Sequence, residues 1–120
     1  MTRFIELPHA VGVLDVLGLH IRDIGLLSSA LARPSSSMFG VEAYPELEVK
    51  AAALLSSLSQ NHPLIDGNKR FSWVLTLTFL EMNGVVIEMD TDAAFNLILR
   101  AAQSKADLPE IAELLRRHRR

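Results

Sequence analysis

The apolar residues Leu47, Ala51, Leu54, Leu55 and Leu58 recur at i, i+4, i+7, i+8 and i+11, the single stripe of an amphipathic helix. The stripe runs out at Asn61-His62-Pro63, and the turn Leu64-Ile65-Asp66-Gly67 follows. A second apolar helix starts near Asn68 and ends at Asn83-Gly84, a C-capping pair. In it Phe71, Trp73, Val74, Leu75, Leu77, Phe79, Leu80 and Met82 cover most of the circumference. A helix apolar nearly all round belongs at the centre of a bundle. The expected fold class is therefore all-α, with one buried helix surrounded by the others.

The remaining segments fit that scheme. A first helix runs from Leu7 to about Leu19, with Pro8 in its first turn. Asp23 caps a second helix that Pro34 stops after Arg33, with Leu26, Leu27, Ala30 and Leu31 on one face. Ser35 to Tyr44 is the one long irregular segment, and the third helix begins near Pro45. Val85-Val86-Ile87 reads as a short extended connection. Thr91 or Asp92 caps a fifth helix to about Ser104, with Phe95, Ile98 and Leu99 inward. The sixth helix runs from Leu108 to the end. A length of 120 residues allows a single domain, 1–120, and neither a repeat nor a linker divides it.

Composition removes several chemistries. There is no cysteine, so thiol catalysis and Cys-ligated metal are excluded. The histidines at 9, 20, 62 and 118 show no metal-ligand spacing. Neither a Walker A sequence nor a Gly-x-Gly-x-x-Gly fingerprint is present. No apolar run approaches membrane-spanning length, and Glu6 and Pro8 precede any apolar run, which does not suit a signal peptide. Cytoplasmic residence is expected, with no membrane partner. Formal charge is −2, but Arg116, Arg117, Arg119 and Arg120 close an otherwise acidic body. Such a tail offers a contact to nucleic acid or an acidic partner; it is also the ordinary pattern of cations near a helix C-terminus. Trp73 and Lys50 read as a core aromatic and an exposed helix lysine.

Positions 62 to 70, His-Pro-Leu-Ile-Asp-Gly-Asn-Lys-Arg, carry the chemistry. A helix N-terminus has unpaired N–H groups and a positive dipole end, a ready anion site. Gly67 admits close approach to the backbone. Lys69 and Arg70 place two cations where they oppose the dipole, which calls for an anion such as phosphate. Asp66 in the same turn supplies the single carboxylate that suffices for a phosphate-bound Mg²⁺. His62 is the group there whose ordinary pKa is nearest neutrality, the candidate general base. Together these suit phosphoryl or nucleotidyl transfer. A capped interhelical turn uses the same residues, with Asp66 or Asn68 as N-cap, Gly67 at positive φ and His62 at a helix C-terminus; spacing leaves both readings open.

This loop resembles the signature of the Fic/Doc family, His-x-Phe-x-Asp/Glu-x-Asn-x-Arg, with Lys69 as in the Doc (death-on-curing) branch. Ala30-Leu31-Ala32-Arg33-Pro34, Tyr44-Pro45, Lys50-Ala51-Ala52 and Phe79-Leu80 through Asn83-Gly84 are similar as well. The resemblance implies a compact bundle of about six helices with a short flap. It implies His62 as the base that deprotonates a target hydroxyl, and Asp66 as the Mg²⁺ and phosphate-orienting carboxylate. Gly67, Asn68, Lys69 and Arg70 become the phosphate-binding turn, with Arg70 on phosphate oxygens and Asn68 fixing the loop. Ser35 to Tyr44 becomes the flap, whose Met38, Phe39, Gly40 and Val41 are the candidate contacts for target or antitoxin. Doc-branch members are toxins of toxin–antitoxin pairs that use ATP to phosphorylate a threonine of elongation factor Tu, arresting translation.

Two positions depart from the wider pattern. The family's Phe is Leu64, a smaller anchor for the loop. Lys69 replaces the Gly of the AMP-transferring branch, and its bulk and charge favour phosphate over AMP transfer. AMP transfer to a protein hydroxyl is the alternative, and an antitoxin- or DNA-binding module the third reading. Thr2 and Glu6 have the spacing of the family's autoinhibitory Ser/Thr-x-x-x-Glu-Gly/Asn, but Leu7 breaks the match. Inhibition by a separate antitoxin is therefore expected, through a helix or a disordered segment bound beside the flap. Nucleic acid would then be met only through the antitoxin.

Overall fold

The computed structural model describes residues 1–120. Six helices follow in order: α1 (Leu7–Leu17), α2 (Ile24–Ala32), α3 (Leu47–Asn61), α4 (Asn68–Met82), α5 (Thr91–Ala102) and α6 (Leu108–Arg117). A 3₁₀ turn, Arg33–Ser35, leads from α2 into a hairpin of β1 (Ser37–Met38) and β2 (Val41–Glu42). The chain is all-α apart from this hairpin. Local signals set most ends. Asp23 accepts from the Leu26 N–H, Gly18 closes α1 in the left-handed region, and Asp107 caps α6. The cap of α5 is Asp90, whose side chain accepts from the Ala93 N–H, rather than Thr91 or Asp92.

The buried central helix is α3, not α4, although large apolar residues cover most of the circumference of α4. Every residue from Lys50 to Ser59 is buried, and α2, α4, α5 and α6 all pack on it. The reason is size. Ala51, Ala52, Ala53, Ser56, Ser57 and Ser59 let neighbours approach on every side. The Ser59 hydroxyl donates to the Leu55 carbonyl at 2.7 Å, so burial leaves it satisfied. In α4 only Phe71, Ser72, Leu75, Thr76, Phe79 and Leu80 are buried, while Trp73, Val74 and Leu77 stay half-exposed. Phe95 also departs from expectation. It faces outward at 59% exposure, whereas Ile98 is buried as expected, Leu99 is half-buried, and α5 also buries Ala94, Leu97 and Ala101. One cluster of 24 buried residues forms the core. No helix is long and apolar enough to cross a membrane.

The arginine tail is neutralised by the protein itself. Arg116 pairs with Glu46 and Glu113, Arg119 lies 3.5 Å from Glu48, and Arg120 lies 2.8 Å from Glu88. Arg117 pairs with Glu113 at 3.4 Å. The backbone adds a bridge from Ile87 to Arg119 and a bond from the Arg120 N–H to the Val86 carbonyl. The extended 85–87 connection is thus tied to the tail by backbone bonds.

Candidate active site

The carboxyl end of α3 and the amino end of α4 meet at the loop 62–67. His62 is the C-cap of α3 at φ 52° and ψ 59°, a left-handed conformation that costs a residue with a β-carbon about 1–2 kcal/mol. That backbone turn lifts its side chain out of the helix, and His62 is exposed. Leu64 lies at 1% exposure and anchors the loop in the core, as the family's Phe would. Asn68 holds the turn from within. Its Oδ1 accepts from the Leu64 N–H and its Nδ2 donates to the Leu64 carbonyl. Gly67 has φ 77°, and a Cβ there would stand 2.7 Å from Leu19 Cδ2, so packing against Leu19 calls for glycine.

A second segment, Leu19 to Asp23, braces this loop along its length. The Ile65 N–H donates to the His20 carbonyl at 3.0 Å, and Ile21 bridges Leu64. The N–H groups of Arg22 and Asp23 both donate to the Pro63 carbonyl, at 2.8 and 3.0 Å. The Arg22 guanidinium donates to the His62 carbonyl, with Nε at 2.9 Å and Nη2 also in reach. Helix C-termini leave carbonyls without partners, and Arg22 supplies one from another element.

The loop and the first turn of α4 form an open cleft of about 380 Å³, lined by His62, Ile65, Asp66, Gly67, Asn68, Lys69 and Arg70. No side chain caps α4. Neither Asp66 nor Asn68 therefore serves as its N-cap. Asp66 turns its Oδ1 to the Gly67 N–H at 2.8 Å and Asn68 is the first helical residue. Lys69 and Arg70 are exposed and take part in no ion pair, whereas the four tail arginines all do. Two free cations beside an uncapped helix N-terminus make an electropositive cleft suited to phosphate. No group of three or more metal-ligating side chains exists in the protein. Asp66 is the lone carboxylate in the cleft, and its Oδ2 makes no protein hydrogen bond, which fits a cation brought in by phosphates.

The hairpin stands at the flap position. Ser37 pairs with Glu42 and Met38 with Val41, around a two-residue turn in which Phe39 (φ 52°) and Gly40 (φ 78°) are both left-handed, as type I′ turns require. Met38, Phe39 and Val41 are 71%, 97% and 69% exposed. Lys50, read as an exposed lysine, is 1% exposed and lies under the flap's base. Its Nζ donates to the Tyr44 carbonyl, to the Pro45 carbonyl at 3.3 Å and to Glu42 at 3.4 Å. Arg33 ties the other side, donating to Ser57 at 2.8 Å and to the Tyr44 hydroxyl at 3.2 Å. A polar groove lined by Ser29, Arg33, Ser36, Ser57, Gln60 and Asn61 runs between flap and loop, with Ser36 next to β1 and Asn61 next to His62.

These parts match a known pattern as a set. The Fic/DOC family model covers residues 4–80, which include α1, α2, the flap, α3, the loop and most of α4. The chain belongs to the Fic/DOC family. Among characterised proteins, Toxin Doc of Mycolicibacterium smegmatis (strain ATCC 700084 / mc(2)155) is 50% identical over 96 residues, 78% of this chain and 74% of that protein. Within the Fic/DOC signature the structure brings His62, Asp66, Gly67, Asn68, Lys69 and Arg70 to one cleft. Met38, Phe39, Gly40 and Val41 lie apart from it on the hairpin. Arg22 and Leu19 support the site without carrying any motif that marks them, whereas Lys50 belongs to the Lys50-Ala51-Ala52 stretch that resembles the family.

Proposed function

We propose that this Fic/DOC protein is the toxin of a toxin–antitoxin pair and a protein kinase. It transfers the γ-phosphate of ATP to a threonine hydroxyl of a translation factor, elongation factor Tu by family analogy, and so arrests translation in the cytoplasm. The single observation that carries the reading is the cleft, where an exposed histidine, a lone carboxylate and two unpaired cations meet an uncapped helix N-terminus.

In this reading the α4 N–H groups and Arg70 hold the phosphates, and Lys69 occupies the place where AMP-transferring members have Gly. Mg²⁺ held by Asp66 and the phosphates would supply charge neutralisation. The target segment lies in the polar groove against the flap, which brings its hydroxyl to His62. The hydroxyl oxygen attacks the γ-phosphorus as the bond to the β,γ-bridging oxygen breaks. The hydroxyl proton passes to His62, and ADP leaves. The exposed Met38, Phe39 and Val41 offer an apolar contact to a separate antitoxin.

The test incubates the protein with Mg²⁺ and elongation factor Tu, with ATP labelled on the γ- or the α-phosphate. Label from the γ-position alone, lost in His62→Ala, is expected. Label from the α-position would make the protein an AMP transferase and overturn the inference from Lys69. No label from either would overturn the enzymatic reading with this target.

A further inference from the structure

The Leu19–Asp23 segment holds the loop by hydrogen bonds at His62, Pro63 and Ile65 and meets Gly67 only through the Leu19 side chain. Arg22 is the point of the brace nearest the chemistry. His62 sits in a left-handed conformation that its own β-carbon disfavours, so something must hold it there. Two successive carbonyls, of His62 and Pro63, are fixed from one residue. The Arg22 guanidinium takes the first, and the Arg22 N–H takes the second at 2.8 Å. Arg22 Nη2 also lies 3.4 Å from the Asn61 carbonyl. The guanidinium has no carboxylate partner, so its hydrogen-bonding capacity is directed at this helix end. The turn 67–70, in contrast, is held by Asn68 and the α4 backbone, without Arg22.

From this division we infer that Arg22 is a positioning residue for His62. It sets the direction of the imidazole through the His62 carbonyl and leaves nucleotide binding untouched. This rests on the reading of His62 as the base. A side chain displaced by about 1 Å from its productive place costs about 10²-fold in rate. Removing Arg22 therefore lowers kcat and spares KM for ATP, whereas general loosening of the fold would raise KM as well.

The experiment compares wild type, Arg22→Ala, Arg22→Lys and His62→Ala, with elongation factor Tu and Mg·ATP. Far-UV circular dichroism and urea midpoints check folding. The imidazole ¹H–¹³C resonance of His62, assigned by its loss in His62→Ala, is followed in parallel. Expected are a fall of about 10²-fold in kcat for Arg22→Ala at unchanged KM, with partial recovery in Arg22→Lys, which keeps a donor. The His62 resonance moves while those of His9 and His118 stay. Wild-type kcat in Arg22→Ala, with His62→Ala inactive, would overturn the inference and leave the kinase reading intact. Wild type without transfer would remove the kinase reading, and an unmoved His62 resonance would then overturn the inference on its own. Should Arg22→Ala fail to fold, Arg22→Lys decides by the same two readouts: a lowered kcat with a moved resonance supports the role, and wild-type values refute it.

Discussion

Asn68 clasps the peptide of Leu64 from both sides, accepting its N–H at 2.9 Å and donating to its carbonyl at 3.1 Å. The clasp closes the turn that separates His62 from Lys69 and Arg70. Asn68→Ala leaves both backbone groups without partners in a partly buried place and should cost about 1–3 kcal/mol. Asn68→Asp keeps the acceptor, loses the donor and sets a carboxylate oxygen against the Leu64 carbonyl. Urea denaturation of the three proteins measures this. An Asp variant as stable as wild type would show that only the accepting half matters.

Gly67 and Leu19 form a second coupled pair. Ala at 67 carries the strain of a left-handed backbone, about 1–2 kcal/mol, and its Cβ meets Leu19. Leu19→Ala removes the collision and leaves the strain. Gly67→Ala should thus destabilise less in the Leu19→Ala background than in wild type, with a coupling of about 1 kcal/mol. Additive effects in the double-mutant cycle would mean that backbone strain alone demands glycine.

What could be read from the residues in order is what local chemistry decides. Asp23 as a cap, Pro34 as a stop and Asn83-Gly84 as a helix end are short-range signals, and the structure has all three. The site loop was legible for the same reason, since His62 to Arg70 are contiguous. Burial was less so. Large apolar residues all round α4 favour it as the centre, but closeness of approach depends on size, and the alanines and serines of α3 decide it. Lys50 is buried because its ammonium meets carbonyls of the segment before its own helix, which hydropathy does not register. Arg22 acts across forty positions of sequence, and only the fold brings it to His62.

The flap's attachment gives a prediction that separates two kinds of bond to Lys50. Glu42 is 60% exposed and 3.4 Å away, so its ion pair is largely screened. The Tyr44 and Pro45 carbonyls have Lys50 as a donor at the base of the flap. Glu42→Gln should change stability by less than about 0.5 kcal/mol, while Lys50→Met should lose about 2 kcal/mol and loosen the hairpin. Urea denaturation and amide hydrogen exchange of Val41 to Tyr44 report the two effects. Equal losses in both variants would assign the anchoring to the ion pair.

The tail predicts a negative result with a clear converse. Arg116, Arg117, Arg119 and Arg120 all face carboxylates of the same chain, and the whole protein carries a formal charge of −2. Phosphate contacts would have to displace those partners, so the isolated protein should not bind duplex DNA at about 150 mM salt. Fluorescence anisotropy with a labelled duplex checks it. Binding that weakens steeply with salt and vanishes on Arg119→Ala would show that the tail exchanges its acidic partners for phosphate.

Asp66 separates charge from shape. Its Oδ1 accepts the Gly67 N–H at 2.8 Å, a bond that the amide oxygen of Asp66→Asn can also accept. The variant should therefore fold with wild-type stability. It loses the one carboxylate that a phosphate-bound Mg²⁺ could reach in the cleft. Calorimetric titration with ATP, with Mg²⁺ and then with EDTA, should show wild-type affinity falling about tenfold on metal removal. The Asn variant should bind at the lower affinity in both conditions, since only the metal-dependent part needs the charge. A wild-type response to EDTA in Asp66→Asn would mean that the nucleotide holds its metal without this side chain, and Asp66 would keep only its bond to the Gly67 N–H.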